Sequence, residues 1–137
     1  MSSFKIFDIA GSGMNAQNLR LNLVASNMAN VDAVSSSINE TYRARQPVFE
    51  AMLDQANRHN PAVGVRMKGV VESEAPLVRE YAPEHGLADD DGYIYRPNVN
   101  VIEEMANMIS ASRAYQSNVE VVNATRRMMT ATINLGK

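Results

Sequence analysis

The sequence predicts a mainly α fold with a small β element: two long terminal helices packed as a coiled-coil-like pair, and a β-hairpin inserted between them. Three observations predict it. Apolar residues repeat every seven positions at both ends of the chain, Gly, Pro and alternating strand formers gather in the middle, and most of the charge lies there too. At 137 residues the chain is long enough for one modest core and short for two. Residues 1–32, 33–98 and 99–137 therefore read as an N-terminal helix, a linker with a β-rich middle, and a C-terminal helix of one architectural unit.

In the first segment Phe7, Met14, Leu21 and Met28 lie seven apart, and Ala10, Val24 and Val31 lie three beyond them. Only Gln17 breaks this heptad stripe. Ser2 or Ser3 is suited to cap the helix. The run Ala-Gly-Ser-Gly at 10–13 is its weak point, because each Gly costs about 1 kcal/mol relative to Ala inside a helix. The same small residues let another backbone approach closely.

Residues 31–39, Val-Asp-Ala-Val-Ser-Ser-Ser-Ile-Asn, have the composition of an extended linker. Alternation at Tyr42, Ala44, Gln46 and Val48 then favours a strand, while residues 49–53 also fit a helix. Residues 64–73 and 76–83 flank a short Glu74-Ala75 connection and read as the arms of a β-hairpin. Tyr93-Ile94-Tyr95-Arg96 reads as a third short strand.

The second long helix begins after Pro97. Val101, Met108, Tyr115, Val122 and Met129 repeat every seven residues, Met105, Val119 and Ile133 fill the partner position, and Ser112 and Arg126 are the exceptions. Asn98 or Asn100 caps it, Glu103 and Glu104 suit the positive end of its dipole, and Gly136 with Lys137 closes it. At 1.5 Å per residue such a helix reaches roughly 50 Å.

Charge is distributed unevenly. Residues 1–32 carry four charged side chains, residues 33–98 seventeen, and residues 99–137 seven. A solvated amphipathic helix places Lys and Glu opposite its apolar stripe, whereas this one offers Asn15, Asn18, Asn22, Ser26, Asn27 and Asn30. An amide loses far less than a charge on leaving water and both donates and accepts, so it suits a contact packed on several sides. Either the two helices pair only with each other and the amides face water, or further helices bury the second face as well. An isolated two-helix layer has little core, which favours the second reading.

Several functions are excluded. With 13 basic against 15 acidic residues and a net charge of -2, there is no basic field for nucleic acid, which is not a partner. The absence of cysteine excludes disulfides and thiolate chemistry. Lys5 precedes only the short run Ile-Phe-Asp-Ile-Ala, neither a signal-peptide core nor a membrane span, so no direct membrane insertion is expected. Glu84, His85, Asp89, Asp90 and Asp91 form the best metal-binding candidate, but their spacing fails the calcium-loop template, and His59 lies in a separate turn. Neither a phosphate loop nor a nucleophile elbow is present, and neither a catalytic residue nor a metal or cofactor is expected. A soluble helical adaptor and a small metal-binding protein are the alternatives to an assembly subunit.

The N-terminal residues Gly13-Met14-Asn15-Ala16-Gln17, Arg20-Leu21 and Ala25-Ser26-Asn27-Met28-Ala29-Asn30 resemble the N-terminal motif of the flagellar rod, hook and filament axial proteins. Pro97-Asn98-Val99-Asn100-Val101, Glu103-Glu104-Met105 and Arg113-Ala114-Tyr115-Gln116 are similar to the proximal-rod branch of that family. The resemblance spans essentially the whole chain. It departs from many axial proteins after the Asn motif, where a Ser-rich stretch stands in place of a Thr-Pro-Gly-Tyr turn.

This resemblance implies a structural subunit of the bacterial flagellar basal-body rod in the periplasmic space, polymerising through its terminal helices around an export channel. It implies export without a cleaved signal peptide through the flagellar type III export apparatus. The implied partners are other rod proteins, copies of the chain itself and a membrane-ring adaptor. Candidate interface residues are Phe7, Met14, Leu21, Asn27, Met28 and Asn30 with Met105, Met108, Tyr115, Val119, Val122 and Met129. Each reads equally as a core contact within one subunit.

Overall fold

A computed structural model describes residues 3–52 and 63–136. Helix α1 spans Ser3–Ala29, strands β1 to β4 span Arg45–Ala51, Val65–Glu72, Val78–Tyr81 and Tyr93–Arg96, and helix α2 spans Val101–Leu135. The two long helices with β structure between them are the architecture that the heptad stripes predict. Ser2, Leu53, His59 and Lys137 lie outside the described residues, and so do the roles expected of them.

The helices run antiparallel. Arg20, toward the end of α1, meets Asn107, near the start of α2, and Gly13, earlier in α1, meets Asn118, later in α2. Asn100, of the two capping candidates, starts α2: its side-chain oxygen accepts from the backbone N–H of Ile102 (3.1 Å) and Glu103 (3.4 Å). Gly136 closes the helix through a backbone bond to the Ile133 carbonyl.

The middle forms two hairpins, not the single one expected. Strand β2 does not pair with β3 across Glu74-Ala75. It pairs antiparallel with β1, from Arg45 opposite Glu72 to Ala51 opposite Val65, and β3 pairs with β4, from Val78 opposite Arg96 to Tyr81 opposite Tyr93. The reason lies in the turn chemistry. Asp89 accepts from the backbone N–H of Tyr93 (2.7 Å) and Asp91 (3.1 Å) and from the Tyr95 hydroxyl, and Gly92 takes φ +82, a conformation open to glycine. The acidic turn at 84–92 therefore closes a hairpin whose strands lie on either side of it. Arg79 stacks 3.6 Å over the Tyr93 ring on the same sheet. The Asp89 carboxyl sits below its ordinary range, chiefly because of the Tyr93 N–H bond.

The linker after α1 is turned, not extended. Ser35 exchanges backbone hydrogen bonds with Tyr95, adding an edge to β4, and the Thr41 hydroxyl donates to the Ser37 carbonyl at 2.7 Å. This folds residues 33–41 back toward the β3–β4 hairpin.

Three polar side chains fasten the middle to the helices. Asn27, 1% exposed, is the most buried large side chain. Its amide donates to the Arg45 carbonyl (2.9 Å) and accepts from the Arg45 N–H (2.9 Å) and the Tyr42 hydroxyl (2.8 Å), mimicking a strand partner at the start of β1. Asn98 accepts from the Ala44 N–H and donates to the carbonyls of Ser73 and Ala75, and Ser12 bridges the Ile9 carbonyl to the Val65 N–H. Replacing Asn27 by Ala strands two backbone groups at about 1–3 kcal/mol each. Chemical denaturation is expected to show Asn27→Ala losing about 2–4 kcal/mol, while exposed Asn18→Ala stays within about 0.5 kcal/mol.

Candidate assembly interface

The seam between α1 and α2 is built from small and polar residues. Ala10, Ala16, Val24 and Asn27 are buried on α1, and Glu104, Ala111 and Thr125 on α2, with Ala111 at 0% exposure. At Gly13 a β-carbon would lie 3.0–3.2 Å from the Asn118 side chain, so a larger residue there would require that amide to shift by a few tenths of an ångström. On α2 the positions 104, 111, 118 and 125 form an unbroken heptad of Glu, Ala, Asn and Thr.

This heptad lies one residue before the apolar partner series Met105, Val119 and Ile133. Met105 and Ile133 are exposed and Val119 is half-buried. The series at Met108, Val122 and Met129 does sit on the seam side, half-buried, while Tyr115 is exposed. On α1, Phe7, Met14, Leu21 and Met28 are half-buried, and so is Asn30, whose amide donates to the Ser26 carbonyl. Asn27 serves β1 within the chain. Its neighbours Asn15, Asn18 and Asn22 are exposed, so only part of the amide face is covered. The seam residues Ala16, Glu104, Ala111, Asn118 and Thr125 were legible only from side-chain size at heptad spacing, because hydrophobicity favours their bulkier neighbours.

Large apolar side chains instead point outward. On α2, Ile102 (80% exposed), Met105 and Ile109 form one strip at helical spacing, and Val121, Met128 (60%) and Leu135 (88%) form a second, seven residues apart. At about 100° per residue, Val121 lies roughly a quarter-turn around the helix from Ile102. Phe4 adds an exposed aromatic ring near the start of α1. Monomeric proteins rarely leave contiguous apolar surface of this kind open, and its usual meaning is a contact with another protein. Among the described residues no helix is long and apolar enough to cross a membrane, and no group of three or more acidic or His side chains converges as metal ligands.

One charged group sits inside the seam. Glu104 is 5% exposed, and its Oε2 has no hydrogen-bond partner among the described residues. Burial pushes its carboxyl above the ordinary range, against the pull of the Asn27 amide and the Arg20 guanidinium, with Glu103 adding to the rise.

A half-covered α2 with a small, polar inner seam and an apolar exterior points to a class, a subunit that packs against other protein chains. Family comparison gives the particular one. Residues 7–35 match the model described as "Flagella basal body rod protein", and residues 90–135 match "Flagellar basal body rod FlgEFG protein C-terminal". The chain is 46% identical to the flagellar basal-body rod protein FlgC of Salmonella typhimurium and 47% identical to that of Escherichia coli O157:H7, covering 100% of each chain. With the Borreliella burgdorferi FlgC it shares 32% identity over 93% of each. The chain belongs to the flagellar basal-body rod protein FlgC family. It is a structural component of the flagellar basal body, assembled with other rod components, and not an enzyme.

The raised Glu104 pKa has a definite sign. The folded state holds this proton more tightly than the unfolded one, so Glu104 contributes stability below its unfolded value of about 4.5 and loses it as pH rises through the folded value. Glu104→Gln is therefore expected to raise the melting temperature of the isolated chain at pH 7. The difference from the parent should shrink to nothing below the ordinary carboxylate range, as thermal unfolding followed across pH would record.

Proposed function

We propose that the chain is a subunit of the proximal rod, in the periplasmic space, that polymerises with sister rod proteins and with copies of itself through its terminal helices. The observation that carries this reading is the outward apolar surface of α2, whose burial against neighbours supplies the driving force for assembly. In this reading residues 1–32 and 99–137 form an inner helical domain around an export channel. Residues 33–98 hold the two hairpins on its outer side. The interface residues are the candidates Phe7, Met14, Leu21, Met28, Met105, Met108, Tyr115, Val119, Val122 and Met129, with Asn27 and Asn30 ordering the junction behind them.

Export without a cleaved signal peptide through the flagellar type III apparatus, and contact with a membrane-ring adaptor, complete the proposal. Support comes from the sequence likeness to rod proteins over the full chain and from helices whose association with one another buries little bulky apolar surface. Mechanical load would pass through many packed helix faces at once.

Two experiments test it. Removing the chain from Met129 onward is expected to abolish rod assembly and motility when it is the only copy, and normal swimming would refute the reading. Met128→Asp, on a side chain that is 60% exposed, is expected to change the stability of the isolated chain by less than about 0.5 kcal/mol while lowering assembled rods at least about tenfold, counted by electron microscopy of basal bodies.

A further inference from the structure

The chain holds nine methionines and no cysteine, so thioethers are its only sulfur. Two of those on the helices stand apart. Met105 is 51% exposed and Met128 60%, whereas Met14 and Met28 on α1 and Met108 and Met129 on α2 are half-buried. The outward strip Ile102, Met105 and Ile109 has its one thioether at the centre, and so does the strip Val121, Met128 and Leu135. Every other member of either strip is a saturated hydrocarbon side chain.

The neighbours leave both sulfurs open. Three and four residues from Met128 along α2 stand Ala124, Thr125, Ala131 and Thr132, none long enough to cover a methionine side chain. The corresponding neighbours of Met105 are Val101, Ile102, Met108 and Ile109, of which Val101, Ile102 and Ile109 are themselves exposed.

A flexible, polarizable thioether suits the centre of an apolar contact because it adapts to an irregular partner surface. The same atom is the contact's weak point. Oxidation turns it into a sulfoxide, a strong hydrogen-bond acceptor that is costly to bury without a donor, and the hydrocarbon side chains around it in each strip supply none.

Resting on the rod-subunit reading above, we infer that Met105 and Met128 are oxidation sites that gate assembly. Free chains carrying the sulfoxide are kept out of the rod, and chains already packed are protected. The oxidant is a peroxide. The sulfur lone pair attacks one oxygen of hydrogen peroxide, the S–O bond forms as the O–O bond breaks, and the second oxygen leaves as water with both protons. Sulfur is oxidised by two electrons and the peroxide is reduced by two.

Treating the free chain and purified basal bodies with hydrogen peroxide, and following sulfoxide at each methionine by peptide mass spectrometry, tests the protection. In the free chain Met105 and Met128 are expected to oxidise faster than the half-buried methionines of the helices, and in basal bodies their oxidation is expected to slow at least about tenfold. A second measurement tests the gate. Brief peroxide exposure of cells building rods is expected to lower basal bodies at least about fivefold with the parent chain, but less than about twofold with Met105→Leu and Met128→Leu combined. Each strain is counted against its own untreated culture, so any effect of leucine itself drops out. Equal loss in the two strains overturns the proposal, and so does oxidation of both sites in basal bodies at the free-chain rate. Either outcome leaves the rod-subunit reading standing while peptides of the chain are recovered from basal bodies, and their absence would refute that reading instead.

Discussion

The amide of Asn27 is the contact on which the rest of the structure depends. By donating to the carbonyl and accepting from the N–H of one residue, Arg45, it acts as a strand neighbour supplied by a helix. Strand β1 starts there, and the Tyr42 hydroxyl completes the set. Leu could fill the same space but would leave three polar groups dry, and Asp would lack the donor. Asn98 repeats the device from just before α2, joining the Ala44 N–H to two carbonyls beyond β2. Two amides, one from the end of α1 and one from just before α2, thus hold the same short segment, residues 42–45, which makes the polar middle and the helical pair one mechanical piece.

This changes the explanation for the scarcity of charge at the chain ends. Amides on α1 were expected to be useful mainly between molecules. Asn27 is instead needed within one molecule, where a Lys or Glu could neither pair with both backbone groups nor lose its hydration cheaply. Its exposed relatives Asn15, Asn18 and Asn22 have no such intramolecular duty, and they remain the ones for which a neighbour would supply the reason.

Long-range order was legible in the sequence because it depends on period alone. Seven-residue spacing located both helices, and Asn100 with Glu103 and Glu104 marked the start of α2. Strand positions were also legible, through alternation and flanking turn residues. Pairing was not, since Glu74-Ala75 looks like a hairpin turn until the Asp89 loop is seen to organise a better one. On α2 the partner position of the seam lies one residue before the apolar series Met105, Val119 and Ile133 for a related reason. Hydrophobicity ranks Met105 above Glu104, but close helix approach selects for volume, and Gly13, Ala16, Ala111 and Thr125 win on volume.

A seam of small residues has a consequence for the exterior. When Gly and Ala face inward, a helix with a fixed supply of bulky apolar side chains must carry them elsewhere, and α2 carries Ile102, Met105 and Ile109 on one side and Val121, Met128 and Leu135 about a quarter-turn away. A single straight partner helix covers one azimuth and leaves the other wet. Complete burial therefore needs at least two neighbours, one for each half of α2. A two-fold dimer pairs one patch with its own copy and leaves the second strip exposed, whereas an array in which each subunit touches different neighbours along its length covers both. The same geometry keeps the isolated chain only partly covered, so its stability and its assembly draw on separate sets of residues.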